Sequence, residues 1–248
     1  DDEAGTPSPG PSGGAVRTGT GQADVLIGTA GADSIVGLGG DDVLTGEAGD
    51  DNIAAGEGAD FVDAGAGTDT VFLGAGDDHG FGGEGNDALY GEAGADRIFG
   101  GAGNDRLEGG AGDDTVVGGA GNDLFVAAAG DGNDSYHGDD LAGGNGIDTL
   151  DLSVASASVT VDLGSGLSGR GSAVSVQTGQ DTLWGIENVA TGSGSDTITA
   201  STAVNVIEGG AGNDVFRFNS AQAADGDTIL DFEPGDRLDL AGIDANAG

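Results

Sequence analysis

Eleven aspartates, Asp33, Asp42, Asp51, Asp60, Asp69, Asp78, Asp87, Asp96, Asp105, Asp114 and Asp123, follow one another at intervals of nine residues without a break. Two residues before each stands a glycine: Gly31, Gly40, Gly49, Gly58, Gly67, Gly76, Gly85, Gly94, Gly103, Gly112 and Gly121. Carboxylates at a fixed interval, beside glycine turns that leave many backbone carbonyls uncovered, form an all-oxygen donor set. The chain has no Cys and two His, so soft and nitrogen-preferring metals are poorly served. Oxygen donors in flexible geometry suit a hard cation, Ca²⁺ before Mg²⁺.

The elements that must position these groups follow from the period. Residues 28–126 divide into eleven nine-residue units, GTAGADSIV through GGAGNDLFV, with Gly at position four and Asp at position six of every unit. Six turn-type residues and three strand-type residues are too short for a helix and too regular for a loop, which predicts a solenoid. Glycines at positions one, two and four are expected to supply positive backbone angles and close approach. Positions seven to nine predict a short strand whose residue at eight faces one way while seven and nine face the other. Ile35, Leu44, Ile53, Val62, Val71, Leu89, Ile98, Leu107, Val116 and Phe125 then line a shared interior, with Gly80 the exception. Two units make one turn, so units n and n+2 stack as parallel neighbours roughly 4.8 Å apart. Aspartates stacked at that spacing repel one another unless a cation lies between them.

The GGxGxDxUx nonapeptide resembles the signature of RTX (repeats-in-toxin, hemolysin-type) calcium-binding repeats. The resemblance implies an all-β fold, a right-handed parallel β-roll (β-solenoid) with capping strands. It also implies Ca²⁺ held between successive turns by Asp carboxylates and Gly-loop carbonyls. Carried over by position, the metal residues are the eleven Asp and eleven Gly named above, with Asp134, Asp148, Asp196 and Asp214 from less regular units. Departures at positions one and two, Thr29, Leu38, Glu47, Ala55, Ala64, Leu73 and Glu92, bear on backbone strain more than on ligation.

Composition sets a bound on the metal-free state. The 248 residues carry 44 acidic and 6 basic side chains, 55 Gly and 4% aromatics, for a formal charge of −38. Such a chain is expected to be disordered without cations. About ten Ca²⁺ would add roughly +20 and leave about −18. All six basic residues are Arg. A surface this acidic argues against nucleic acid and anionic membrane as partners.

In chain order, residues 1–21 read as a flexible linker of acid, Pro, Gly and Ser. Residues 22–27, QADVLI, read as an opening strand, and the main roll is expected to span 22–151. Beyond Val126 a two-residue slip returns the frame at AGDGNDSYH with Asp134, and the insert GDDLA precedes GGNGIDTLD with Asp148. Residues 152–190 are richer in β-branched residues and predict longer strands that cap or extend the roll. They resemble the VTVDL and DTL…IENV segments found between RTX blocks. A second block, 191–217, places Asp196 and Asp214 two units apart, while Ala203 and Asn205 make the unit between them a poor site. Residues 218–248 resemble the segment that closes the roll of serralysin-type secreted proteins. There Ile229, Phe232, Leu238 and Leu240 are expected to cover the last turn.

Rival chemistries are weaker. The GxGxxG strings open no helix within a βαβ unit. Pairs such as Asp41 and Asp42, Asp50 and Asp51, or Asp113 and Asp114 read as one repeat aspartate beside one solvated turn residue. His79 and His137 are isolated, with no HExxH. Outward aromatics, Phe72 and Tyr90 on one sheet and Phe61, Phe81 and Phe99 on the other, either pack beneath residues 152–190 or the C-terminal segment, or form an apolar stripe for self-association. The leading expectation is a noncatalytic, secreted bacterial calcium-binding β-roll, exported through a type I route and folding on Ca²⁺ outside the cell. The alternatives are the noncatalytic module of a secreted protease or polysaccharide-modifying enzyme, and a surface-layer, matrix or adhesion protein with a partner at that surface. No membrane insertion is expected.

Overall fold

The computed structural model describes residues 13–139, 146–164 and 170–243, and it is almost wholly β. Two parallel sheets face each other across one core. One has 11 strands and the other 13, and consecutive strands in the repeat region alternate between them. Strands 18 residues apart are neighbours: Ser34 pairs with Asn52 and Asn52 with Thr70 on one sheet, Val43 with Phe61 and Phe61 with His79 on the other. The period thus sets the register directly. Because one face of each sheet is buried, a slip of a single residue would turn the apolar row to solvent.

The row at position eight is the core. Its ten apolar members in the array are 0% exposed, and Tyr136, Leu150, Leu183, Val189, Ile198, Ile207 and Phe216 continue it through the less regular turns. The strands are longer than the triplet at positions seven to nine. Asn52–Glu57 and Thr70–Ala75 run on through positions one to three of the following unit. The alternation of side chains therefore extends further than the apolar pattern shows, and positions six, eight and one all face inward.

Position one explains the exception at Gly80. Leu73 is fully buried, and a Cβ built on Gly80 would stand 3.0 Å from both of its terminal methyls. Gly80 lies in register between Val62 and Ile98. The leucine at position one fills the volume that position eight leaves empty.

The expected positive angles occur at positions two and four but not at position one. Three position-two residues adopt them without being glycine: Leu38 (φ 83°), Glu47 (φ 78°) and Glu92 (φ 71°). The left-handed region costs a residue with a Cβ about 1–2 kcal/mol. Replacing each of the three by Gly is expected to stabilise the calcium-loaded protein by about 0.5–1 kcal/mol, after the unfolded-state entropy of glycine is offset. A set of urea midpoints would show it, and a lower midpoint for all three would refute the strain.

Elsewhere the structure departs from expectation. Residues 1–12 of the expected linker lie outside the described residues. Its remainder includes Val16–Thr18, a strand paired with Ser34, Ile35 and Val36. The insert GDDLA lies mostly outside the described residues too. Of the two courses expected for residues 152–190, the described strands extend the roll, but not in parallel throughout: Thr160–Asp162, Gly171–Ser175 and Gly179–Trp184 form an antiparallel excursion within one sheet. Among the described residues, the strands of that segment continue the sheets beyond the outward aromatics instead of lying over them. Phe81 stacks on Phe99 at 4.9 Å and Phe72 on Tyr90 at 4.9 Å, and Phe61 is 42% exposed. In the last turn Thr228–Ile229 and Arg237–Asp239 each add a strand to a sheet. Ile229 packs against the core, but Phe232, Leu238 and Leu240 stay about half exposed and form the final turn instead of covering it. Among the described residues no helix is long and apolar enough to cross a membrane.

Candidate metal sites

Each position-six aspartate sits where the glycine turn enters a strand, pointing inward, and all fifteen aspartates expected from the sequence are 4% exposed or less. Their carboxylates form ladders. The backbone N–H of Asp33 donates to Asp51 Oδ1, that of Asp51 to Asp69, and the series continues through Asp87, Asp105, Asp123 and Asp148 to Glu187 Oε2. On the opposite edge a second series runs from Asp42 through Asp60, Asp78, Asp96, Asp114 and Asp134 to Asp181. These bonds measure 2.7 to 3.0 Å. Beyond the antiparallel excursion, Asp196 donates to Asp214 and Asp214 to Asp236. One carboxylate oxygen of each residue thereby satisfies an amide that the tight turn would otherwise orphan.

The other oxygen has no such use. Oδ2 of Asp42, Asp51, Asp60, Asp69, Asp78, Asp87, Asp96, Asp105, Asp114, Asp123, Asp181, Asp196 and Asp214 is buried without a hydrogen-bond partner. Position one shows what it faces. A Cβ on Gly37 would collide with both Asp42 Oδ2 and the carbonyl oxygen of Ala55 one turn on, and Gly46 repeats the arrangement with Asp51 and Ala64. Gly91 repeats it with Asp96 and Gly109. An orphan carboxylate oxygen and a carbonyl oxygen thus flank one point at turn after turn. Opposed lone pairs in a buried place are costly. A hard cation is the species that such oxygens fit.

Three expected residues stand apart. Asp33 is satisfied by the Thr29 amide and hydroxyl, together with the Ala15 amide. Its carboxyl is held below the usual range by those hydrogen bonds, against the opposing effect of burial. Asp134 Oδ2 accepts from the Tyr136 hydroxyl at 3.0 Å. Asp148 has its Oδ1 in the ladder. The position-four glycines, expected to offer carbonyls, donate their N–H groups to the position-three carbonyls of the next turn, as Gly58 does to Ala75 and Gly76 to Ala93. Their carbonyls lie against the position-four glycine of the following turn, as Gly58 O does beneath Gly76.

Sequence reasoning missed Asp181, Glu187, Asp227 and Asp236 as ladder members. The signal was an acidic residue two before an apolar one, as in Asp181-Thr-Leu183 and Asp227-Thr-Ile229; Gly179 and Gly185 stand two before Asp181 and Glu187 as position four requires, but the glycines of positions one and two are missing there. The position-five residues also do more than face solvent. Asp41, Asp50 and Asp77 each accept from the position-five amide one turn on, and Asn86 and Asn104 do the same.

Asn205 supplies an internal contrast. Its Oδ1 accepts from the Ser201 amide, and its Nδ2 donates to the Glu187 carbonyl at 2.6 Å. Every polar atom of this fully buried amide is engaged, so the turn is satisfied without a cation. Asp78→Ala, which strands the Asp60 amide, is expected to cost at least about 1–3 kcal/mol in calcium-loaded protein. Asp78→Asn keeps an oxygen for that amide and is expected to cost about 1 kcal/mol less. Equal urea midpoints for the two variants would remove the ladder bond from the account.

Without an ion many of the ladder aspartates titrate high. Burial pushes the carboxyls of Asp51, Asp78, Asp87 and Asp114 up to about 6, and those of Asp96 and Asp105 to about 7. In each, the hydrogen bond from the preceding turn opposes burial and neighbouring carboxylates add to it. Asp148 and Asp181 reach about 8 for the same reasons.

Comparison with known families gives two matches. Residues 18–53, 45–80, 74–107, 81–116, 90–125 and 100–135 match the RTX calcium-binding nonapeptide repeat (4 copies), and residues 142–248 match the Peptidase M10 serralysin C terminal. No curated protein matches the chain.

Proposed function

From a chain that carries RTX calcium-binding nonapeptide repeats followed by a serralysin-type C-terminal domain, we propose an extracellular, noncatalytic β-roll that folds when Ca²⁺ binds after export from a bacterial cell. RTX repeats bind Ca²⁺; the proposal is that here binding and folding are one event. The observation that carries it is the run of buried, unpartnered Oδ2 atoms along both edges.

The energetics favour coupling. An ion that binds only the folded roll stabilises it by about 1.4 kcal/mol at ten times its Kd. Some ten such sites together are comparable to a typical net stability of about 5–15 kcal/mol. Sites of the extracellular class have Kd values of about 10⁻⁴–10⁻³ M, which leaves cytosolic Ca²⁺ too dilute to fill them. The chain would then cross the export machinery unfolded and be held outside by folding. On this reading position-six Asp residues and turn carbonyls are the ligands, about ten ions bind, and export follows a type I route.

Small-angle scattering tests the coupling. The radius of gyration is expected to fall from about 55 Å in chelator to about 20 Å in millimolar Ca²⁺. A small radius in chelator would separate folding from binding.

A second reading draws on the match of residues 142–248 to a domain described from a peptidase family. There the same roll would serve as the noncatalytic module of a secreted enzyme. Activity in the secreted full-length gene product, assigned to residues outside this roll, would favour it.

A further inference from the structure

The turn at residues 129–134 breaks the repeat code in one respect. Position three of the regular array is Ala or Gly, or an exposed Glu at Glu57 and Glu84, whereas here it is Asp131, 2% exposed. The neighbouring turn, 176–181, stacks directly on it: the Gly130 amide donates to the Gln177 carbonyl at 2.6 Å, and Gly179 lies against the Gly132 carbonyl. Position three of that turn is Thr178, 0% exposed, so Asp131 and Thr178 face each other in register.

Three oxygens in this pair of turns are buried with no hydrogen-bond partner: Asp131 Oδ1, Asp181 Oδ2 and Thr178 Oγ1. The remaining oxygens are committed. Asp131 Oδ2 accepts from the Ala128 amide at 2.8 Å, Asp181 Oδ1 from the Asp134 amide at 3.0 Å, and Asp134 Oδ2 from Tyr136. Among the described residues no three acidic or imidazole side chains converge on a single point. The third side-chain donor here is a hydroxyl.

We propose that this pair of turns forms an additional cation site of the Ca²⁺ class, outside the nonapeptide code, held by Asp131, Asp181 and Thr178. It rests on the calcium-binding reading only for the identity of the ion. An orphan hydroxyl in a sealed place is costly unless something accepts or is coordinated by it. Two carboxylates and a hydroxyl on a rigid stack of turns fit a hard cation, and each added charge among the ligands tightens such a site. The charge of Asp134 acts on both Asp131 and Asp181, and that of Asp131 on Asp181, so the two carboxylates proposed as ligands lie within electrostatic reach of each other.

The test counts ions and uses Tb³⁺ as a luminescent probe excited through the buried Tyr136. The full chain, Asp131→Asn and Thr178→Val are each saturated with Ca²⁺ and weighed by native mass spectrometry, then exchanged with Tb³⁺. Asp131→Asn keeps an oxygen for the Ala128 amide, and Thr178→Val keeps the volume. Each variant is expected to hold one ion fewer than the parent and to lose most of the tyrosine-sensitised emission, with unchanged far-ultraviolet circular dichroism. Variants that fold and hold the parental number of ions with parental emission would overturn the site. If Asp131→Asn does not fold, Thr178→Val decides on the same readouts. A parent that binds no Ca²⁺ would instead overturn the calcium reading on which the site rests.

Discussion

Stripped of calcium, the protein is expected to be unfolded at pH 8 and to regain β-sheet at pH 5 with no metal present. The sign follows from the ladder aspartates. In the metal-free roll the carboxyls of Asp78, Asp96, Asp148 and Asp181 lie at about 6 to 8, raised by burial first and by neighbouring charge second, whereas in the unfolded chain they titrate near 3.8. The folded state therefore binds more protons between those values. Its stability contribution is fully present below pH 3.8 and is lost as pH rises through 6 to 8. Protons and calcium answer the same need, which is to cancel buried negative charge. Circular dichroism of chelator-treated, dialysed protein between pH 8 and pH 5 would show it, at dilution sufficient to avoid association near the isoelectric point of about 4.1. Sheet that persists at pH 8 without calcium, or fails to appear at pH 5, would contradict the electrostatic account.

A large effect of a single substitution outside the metal sites is expected at Leu73. In calcium-loaded protein Leu73→Ala should cost about 2–5 kcal/mol, because the cavity opens beside a glycine that cannot close it. Gly80→Val alone should cost about 1–3 kcal/mol through overpacking against the leucine methyls. The two together restore the ordinary division of labour between positions one and eight, and should cost well under the sum. Thermal midpoints of the four proteins close the cycle. Additive losses would mean that Leu73 and Gly80 do not share a volume.

That pair also shows how the sequence could be read and where it fell short. The nonapeptide period fixed the pairing of residues 18 apart and the interior row at position eight, since both follow from the alternation of side chains along a strand. The same alternation puts position one inside, but glycine carries no side chain to announce it. Only Ala55, Ala64 and Leu73 do, and they read as departures. The aspartate ladder was legible as a column of charge. That one oxygen caps the preceding turn while the other is orphaned depends on the carboxylate's rotation, which spacing does not encode. Asp181 and Glu187 were hidden because their turns keep only the position-four glycines, Gly179 and Gly185, and lack those at positions one and two, and Glu187 reaches the Asp148 amide with one more methylene. Val16–Thr18 carries no nonapeptide of its own and becomes a strand by pairing with Ser34–Val36. Residues 152–190 were legible as strands but not as an antiparallel excursion, because apolar alternation is the same in either direction.

The coupling of folding to calcium is tested most directly by titrating Ca²⁺ into chelator-treated protein at pH 7.5 while following far-ultraviolet circular dichroism, with Mg²⁺ in parallel. A steep coil-to-sheet transition produced by Ca²⁺ and not by Mg²⁺ is the predicted result, since many sites are filled in one cooperative step and Mg²⁺ gives up its water reluctantly. A sheet already complete before calcium is added would contradict it, and the roll would then be a preformed scaffold that ions merely decorate.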